Sequence, residues 1–175
     1  MKHEPRYPIV FTSLESLPIA IDEFRPHWII SLVDPGTVFE IPHSSAERLL
    51  IECHDIAEPI DGYVHPDETH LRKLIEFGAR RREHDRLVVH CQMGRSRSAA
   101  ATLIMLAQSN PGREIDVAMM LRKGAPQCHP NPLMIELADS ILKSGGRLIA
   151  GLSAMGEPTV AGHTASYYTF EALSR

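Results

Sequence analysis

The sequence predicts an α/β fold: a single domain with a central, mostly parallel sheet of four to five strands flanked by helices. Short apolar runs rich in Val and Ile alternate with helical periodicity through the first half, and the second half reads almost entirely as helix. The chain of 175 residues, 43% of them apolar, is long enough for one domain with a real core.

Taken in order, Ile9 to Phe11, Trp28 to Val33, Leu49 to Cys53 and Leu87 to His90 read as short buried strands, each bounded by Pro, Gly or Asp. A helix is expected from about Asp67 to Arg82, with Leu71, Leu74, Ile75 and Gly78 on one face. Asp67 and Glu68 at its start and Arg80-Arg81-Arg82 at its end complement the helix dipole. Further helices are expected over Ser98 to Gln108, Ile115 to Arg122 and Pro132 to Lys143. Pro111-Gly112 and Gly124-Ala125-Pro126 act as stops, and Asn131 is the expected N-cap of the last helix. The tail from Ser144 holds five of the eleven glycines and no sustained period. The domain is therefore assigned to residues 1–150, with 151–175 an extension that is docked or partly mobile. Tyr167, Tyr168 and Phe170 favour docking, because aromatic rings are costly to leave in water.

Composition excludes several function classes. A formal charge of −4 and a pI near 6.2 give no global basic field for nucleic acid or an anionic membrane. The N-terminal stretch carries Glu4, Pro5 and Pro8 where a secretory signal has an apolar run, and the longest apolar run, Ala99 to Ala107, is about half a membrane span. Three scattered cysteines form neither a disulfide framework nor a zinc pair, and the ten histidines show no metal-ligand spacing. A reducing cytoplasm is the expected location.

The chemistry concentrates in Leu87-Val88-Val89-His90-Cys91-Gln92-Met93-Gly94-Arg95-Ser96-Arg97-Ser98. A buried strand here feeds a Gly-containing loop that opens onto a helix, which aims the N–H groups of residues 92–97 into one concavity at the positive helix end. Gln92, Met93, Gly94, Arg95, Ser96 and Arg97 thus form an anion cradle. Cys91 sits at its rim, where those N–H groups and Arg97 favour the nucleophilic thiolate. Arg97, in the first helical turn, can hold two oxygens of a tetrahedral anion with its planar fork. Ser98 supplies a hydroxyl to the Cys91 sulfur that eases its departure from a thiophosphate. His90 is expected to brace the loop by bonding its carbonyls.

This Cys-x5-Arg-Ser run preceded by His resembles the signature of the cysteine-dependent protein tyrosine phosphatases. It looks most like the compact dual-specificity type, including small bacterial-type tyrosine phosphatases. The resemblance runs from about Trp28 to about Leu142 and is one of pattern outside the loop. It implies a dual-specificity-phosphatase-like fold and hydrolysis of phosphotyrosine through a cysteinyl-phosphate intermediate. Phosphoserine and phosphothreonine would be admitted if the pocket is shallow. The partner implied is a phosphorylated protein or peptide, and no cofactor is implied.

The resemblance also implies an Asp that protonates the leaving group and later activates water. Asp55 follows an apolar strand at its C-terminal edge, where α/β active sites assemble, and is the preferred candidate. Asp61, in Pro59-Ile60-Asp61-Gly62, is the alternative, and Asp67 is assigned to the helix start. Arg95 either reaches a second acidic group on a substrate or is solvated. Cys53 reads as a core cysteine, with an oxidative disulfide to Cys91 as the lesser reading. The rival functions are a phosphate-binding pseudophosphatase, a lipid or nucleotide phosphatase, and a rhodanese-like sulfur transferase.

Overall fold

The computed structural model describes residues 5–42, 44–159 and 165–174; residues 160–164 and 175 of the expected extension lie outside them. Its elements in order are β1 (Ile9–Ser13), α1 (Leu17–Phe24), β2 (Trp28–Val33), β3 (Glu47–Glu52), α2 (Glu68–Ala79), β4 (Leu87–Cys91), α3 (Arg97–Ser109), α4 (Glu114–Gly124), α5 (Pro132–Leu142), α6 (Arg147–Ala154) and β5 (Tyr167–Phe170).

The five strands form one sheet in the order β3-β2-β4-β1-β5. The β2–β3, β2–β4 and β1–β4 pairs are parallel, and β1–β5 is antiparallel. Every residue of β2 and β4 is buried, as expected for strands covered on both faces, and this continuous apolar character made them readable in the sequence. At the edge, β3 exposes Glu47, Arg48 and Glu52, charges that discourage pairing with another chain. The register sets Ser13 opposite Cys91 and Ser31 opposite His90, so the C-terminal ends of β1, β2 and β4 meet at the loop that follows Cys91.

The larger core lies where α3 packs against the sheet, buried from Arg97 through Ala107 and surrounded by α2, α4 and α5. On the opposite face, α1 buries Leu17, Ala20 and Ile21 against Val10, Ile29 and Val88. At eight residues, with Pro18 in its first turn, α1 is too short for a periodic pattern to announce it.

Two elements replace the expected irregular tail. At the start of α6, the N–H groups of Gly146, which precedes it, and Leu148 donate to the buried Asp139 carboxylate of α5, at 2.8 and 2.9 Å. Its Gly151 lies so close to α4 that an added Cβ would stand 3.0 Å from the Ala118 methyl and from the Glu114 carbonyl. The expected boundary at residue 150 falls inside this helix. β5 extends the sheet, and Tyr168 and Phe170 meet the Phe11 ring with centroids at 5.1 and 5.9 Å. The arginines expected to end α2 instead follow it. Arg80 pairs with Glu47 of β3, and buried Arg81 donates to the Asp85 and Pro8 carbonyls. Among the described residues, no helix is long and apolar enough to cross a membrane.

Candidate active site

Cys91 ends β4 and Arg97 begins α3, so the five residues between them form the loop. The loop is polarised. Its carbonyls are taken from outside: Gln92 O accepts from Leu14 N–H at 3.3 Å, Arg95 O from His129 N–H at 2.9 Å, and Ser96 O from Ala100 N–H at 2.8 Å. Among the described residues, no backbone or side-chain acceptor takes the N–H groups of residues 93–96. Gly94 makes this curvature feasible, with φ of +65° and a virtual Cβ only 2.5 Å from Ser13 N. The loop therefore abuts the end of β1 with no room for a side chain there.

Cys91 is 2% exposed, and its thiol donates to Ser98 Oγ at 3.1 Å. Arg97 is 3% exposed, and its Nη1 donates to Asp34 Oδ1 at 2.7 Å and to the Cys53 carbonyl at 2.5 Å. Those two bonds fix the plane of the guanidinium and leave Nε buried without a partner. An uncompensated donor in a buried cation is costly unless an anion completes it.

Asp55 lies just past β3, where its Oδ1 accepts from Ser96 Oγ at 2.6 Å and from Asn131 Nδ2 at 2.9 Å. Asn131 also caps α5, accepting from Met134 N–H at 3.1 Å, so one amide joins the helix start to the carboxylate beside the loop. Asp61 is exposed in the 60–63 turn and makes no hydrogen bond to the loop among the described residues. Asp67 caps α2, accepting from His70 N–H at 2.9 Å. Of the three acids, only Asp55 bonds to the loop.

His90 differs from expectation. Instead of bonding the loop's carbonyls, its Nε2 bonds Ser31 Oγ of β2 at 2.7 Å, because the register sets those residues side by side. Its Nδ1 closes no hydrogen bond of normal geometry, but a weaker hydrogen-bond contact with the Cys91 backbone opposes the effect of burial and keeps part of the expected bracing. Burial pulls the imidazole pKa down from 6.5 to about 4. Cys53 is likewise buried. Desolvation pushes its thiol up to about 11, against the opposing pull of Arg97. All three cysteines are free. Gln92, Met93 and Arg95 turn exposed side chains outward, Met93 being 71% exposed. Among the described residues, no cluster of His, Cys, Asp or Glu could hold a metal.

The sequence reading missed Asp34 and the tether made by Asn131. Asp34 follows β2 in Asp34-Pro35-Gly36, at the same kind of strand end that marked Asp55.

Neither a protein-family model nor a curated protein matches the sequence. Solved structures do match. The Yvh1 phosphatase domain from Chaetomium thermophilum is 19% identical with a TM-score of 0.57, over 82% of this chain and 98% of that one. A human DUSP28 variant is 17% identical with a TM-score of 0.57, over 78% and 92%. PTPMT1 in complex with PI(5)P is 20% identical with a TM-score of 0.52, over 73% and 83%. In its five-stranded sheet, with one antiparallel pair and flanking helices, the chain has the fold of the dual-specificity and tyrosine phosphatases.

Proposed function

We propose that this protein is a cysteine-dependent phosphomonoester hydrolase acting on phosphorylated protein. One observation carries the reading: among the described residues, the N–H groups of residues 93–96 and the buried Nε of Arg97 are hydrogen-bond donors without acceptors, in the loop and helix start that directly follow Cys91. A tetrahedral dianion satisfies such a set.

In the first step the Cys91 thiolate attacks phosphorus, the bond from phosphorus to the ester oxygen breaks, and the leaving oxygen takes a proton from Asp55. In the second, water attacks phosphorus and gives a proton to the Asp55 carboxylate, and the phosphorus–sulfur bond breaks. Thiolate returns and inorganic phosphate departs. The Ser98 hydroxyl stabilises the departing sulfur, while the Nε-bearing edge of Arg97 and the loop amides hold the equatorial oxygens. Preorganised charge stabilisation of that kind is the main lever in phosphoryl transfer. Asp34 orients the guanidinium and touches no reacting atom.

Phosphotyrosine is the favoured substrate, with phosphoserine and phosphothreonine as shallower fits. Tyr63 on the segment after Asp55 packs edge-on against His54 at 4.8 Å, and exposed Ile60 and Val64 add apolar surface for an aromatic ring. Three free, buried cysteines fit a reducing cytoplasm. Because one fold neighbour holds PI(5)P, a soluble phosphoinositide is the comparison substrate.

Wild-type protein and Cys91→Ser are assayed on an aryl phosphate from pH 5 to 8, without metal and with reductant. The expected result is turnover by wild type and none by the variant. Equal turnover by both overturns the cysteine mechanism, and no turnover by folded, reduced wild type favours a phosphate-binding module.

A further inference from the structure

A cavity of about 310 Å³ lies on the β1 side of the loop, away from Asp55. Residues 92–95 form one wall, the end of β1 and the residues after it another, and Ser166 and Tyr168 of the C-terminal segment a third. The loop thus borders the cavity, whose lining does not include Cys91, Arg97 or Asp55.

The cavity contains polar groups that the fold leaves unused. Gln127, between α4 and α5, is 9% exposed, and its side-chain amide has no hydrogen-bond partner among the described residues. Its amide atoms stay accessible from the cavity, so a polar guest can use their donors and acceptor. Arg95 brings a guanidinium that forms no ion pair among the described residues. The cavity also carries one carboxylate, Glu15, beside the hydroxyls of Ser13 and Ser16. Arg95 and Gln127 suit an anion, whereas Glu15 repels a dianion more than a monoanion. Together they select a carboxylate over a second phosphate.

We propose that this cavity is a recognition subsite for an acidic side chain of a phosphopeptide, close in sequence to the phosphorylated residue; this rests on the phosphatase reading above. The cavity is lined by the residues that directly follow Cys91, so a Glu within roughly three residues of the phosphorylated one can reach it at about 3.3 Å of extended chain per residue. Its carboxylate pairs with Arg95 and accepts from the Gln127 amide. Glu15 accepts from a peptide N–H and disfavours polyanions.

The test uses phosphotyrosine peptides carrying Glu, Ala or phosphoserine at each of the three positions on either side. Two quantities are read: kcat/KM with wild type, and Kd with Cys91→Ser by calorimetry. A Glu peptide is expected to be favoured about tenfold over its Ala counterpart in both. That advantage should fall toward one in Gln127→Leu and in Arg95→Met, each confirmed folded by its melting curve. In Glu15→Gln, the phosphoserine peptide should gain relative to the Glu peptide. Hydrolysis of all peptides with no Glu advantage overturns the subsite, as does an advantage that survives both substitutions. If nothing is hydrolysed the phosphatase reading fails, and the calorimetry still decides: a Glu advantage in Kd supports the subsite, and its absence overturns it.

Discussion

The loop between Cys91 and Arg97 is held by side chains on its β3 side and by backbone on its β1 side. Toward β2 and β3, Asp55 accepts from Ser96 and Asn131, and separately Arg97 donates to Asp34, which is 51% exposed. Toward β1, the Leu14 amide and the Ser13 backbone against Gly94 leave nothing to rotate. The contrast assigns different tasks to the two sides. Backbone contacts set the curvature of the loop, while the exposed carboxylates of Asp34 and Asp55 leave the partners they hold open to exchange.

The sharpest way to break this contrast is Gly94→Ala. Its methyl group would be driven into Ser13 in a conformation that L residues rarely adopt. Turnover is expected to fall by at least about 10³-fold, the scale of losing preorganised anion donors, with weakened binding of inorganic phosphate by calorimetry. Retention of both would show that the backbone side is not rigid. Next, Arg97→Lys removes the planar fork and both bonds that orient it, with an expected loss of about 10² to 10³ in kcat. A Lys variant within a few fold of wild type would contradict the assigned role.

On the side-chain side, Asp55→Asn should slow an alkyl or phenyl phosphate about 10² to 10³-fold and an activated aryl ester much less. Equal slowing of both esters would remove Asp55 as the proton donor. Asp34→Asn keeps a hydrogen-bond acceptor beside Arg97 but loses the charge, so an effect of about tenfold, mostly in KM, is expected. A loss confined to kcat would argue against a positioning role.

The smallest effect on turnover is expected at His90, where the readout is stability. Its imidazole is held neutral down to about pH 4, while in the unfolded chain it takes up a proton near pH 6.5. The unfolded state therefore binds more protons between those values. The neutral His favours the fold fully above pH 6.5, and that contribution, about 3 kcal/mol, is lost as pH falls toward 4. Urea unfolding at pH 7 and pH 4.5 should show a steeper decline for wild type than for His90→Gln. Parallel declines would place the acid sensitivity elsewhere.

What could be read from the sequence was local. Cys91, Gly94, Arg97 and Ser98 lie in one run, and the strand and helix around them advertise themselves by buried apolar residues. Asp55 could be suspected because it ends a strand. Features that depend on the order of strands could not be read this way: His90 finds Ser31 only because β2 lies beside β4. The cap of α6 comes from Asp139 on another helix, and β5 is half-exposed without clean alternation, so neither left a local pattern.

The antiparallel pairing of β1 and β5 sets Ile9 beside Phe170, nearly the full length of the chain apart. In a chain synthesised from its N-terminus, β1 to β4 and α3 can assemble while residues 167–170 are still being made. Closing so long a loop costs little more than closing one half its length, because the entropy penalty grows only logarithmically. The late strand can therefore join cheaply, covering Phe11 and finishing the cavity wall. On the proposed reading, a nascent chain would form the loop after Cys91 before the cavity that chooses among substrates, so selectivity would be the last property acquired during biosynthesis.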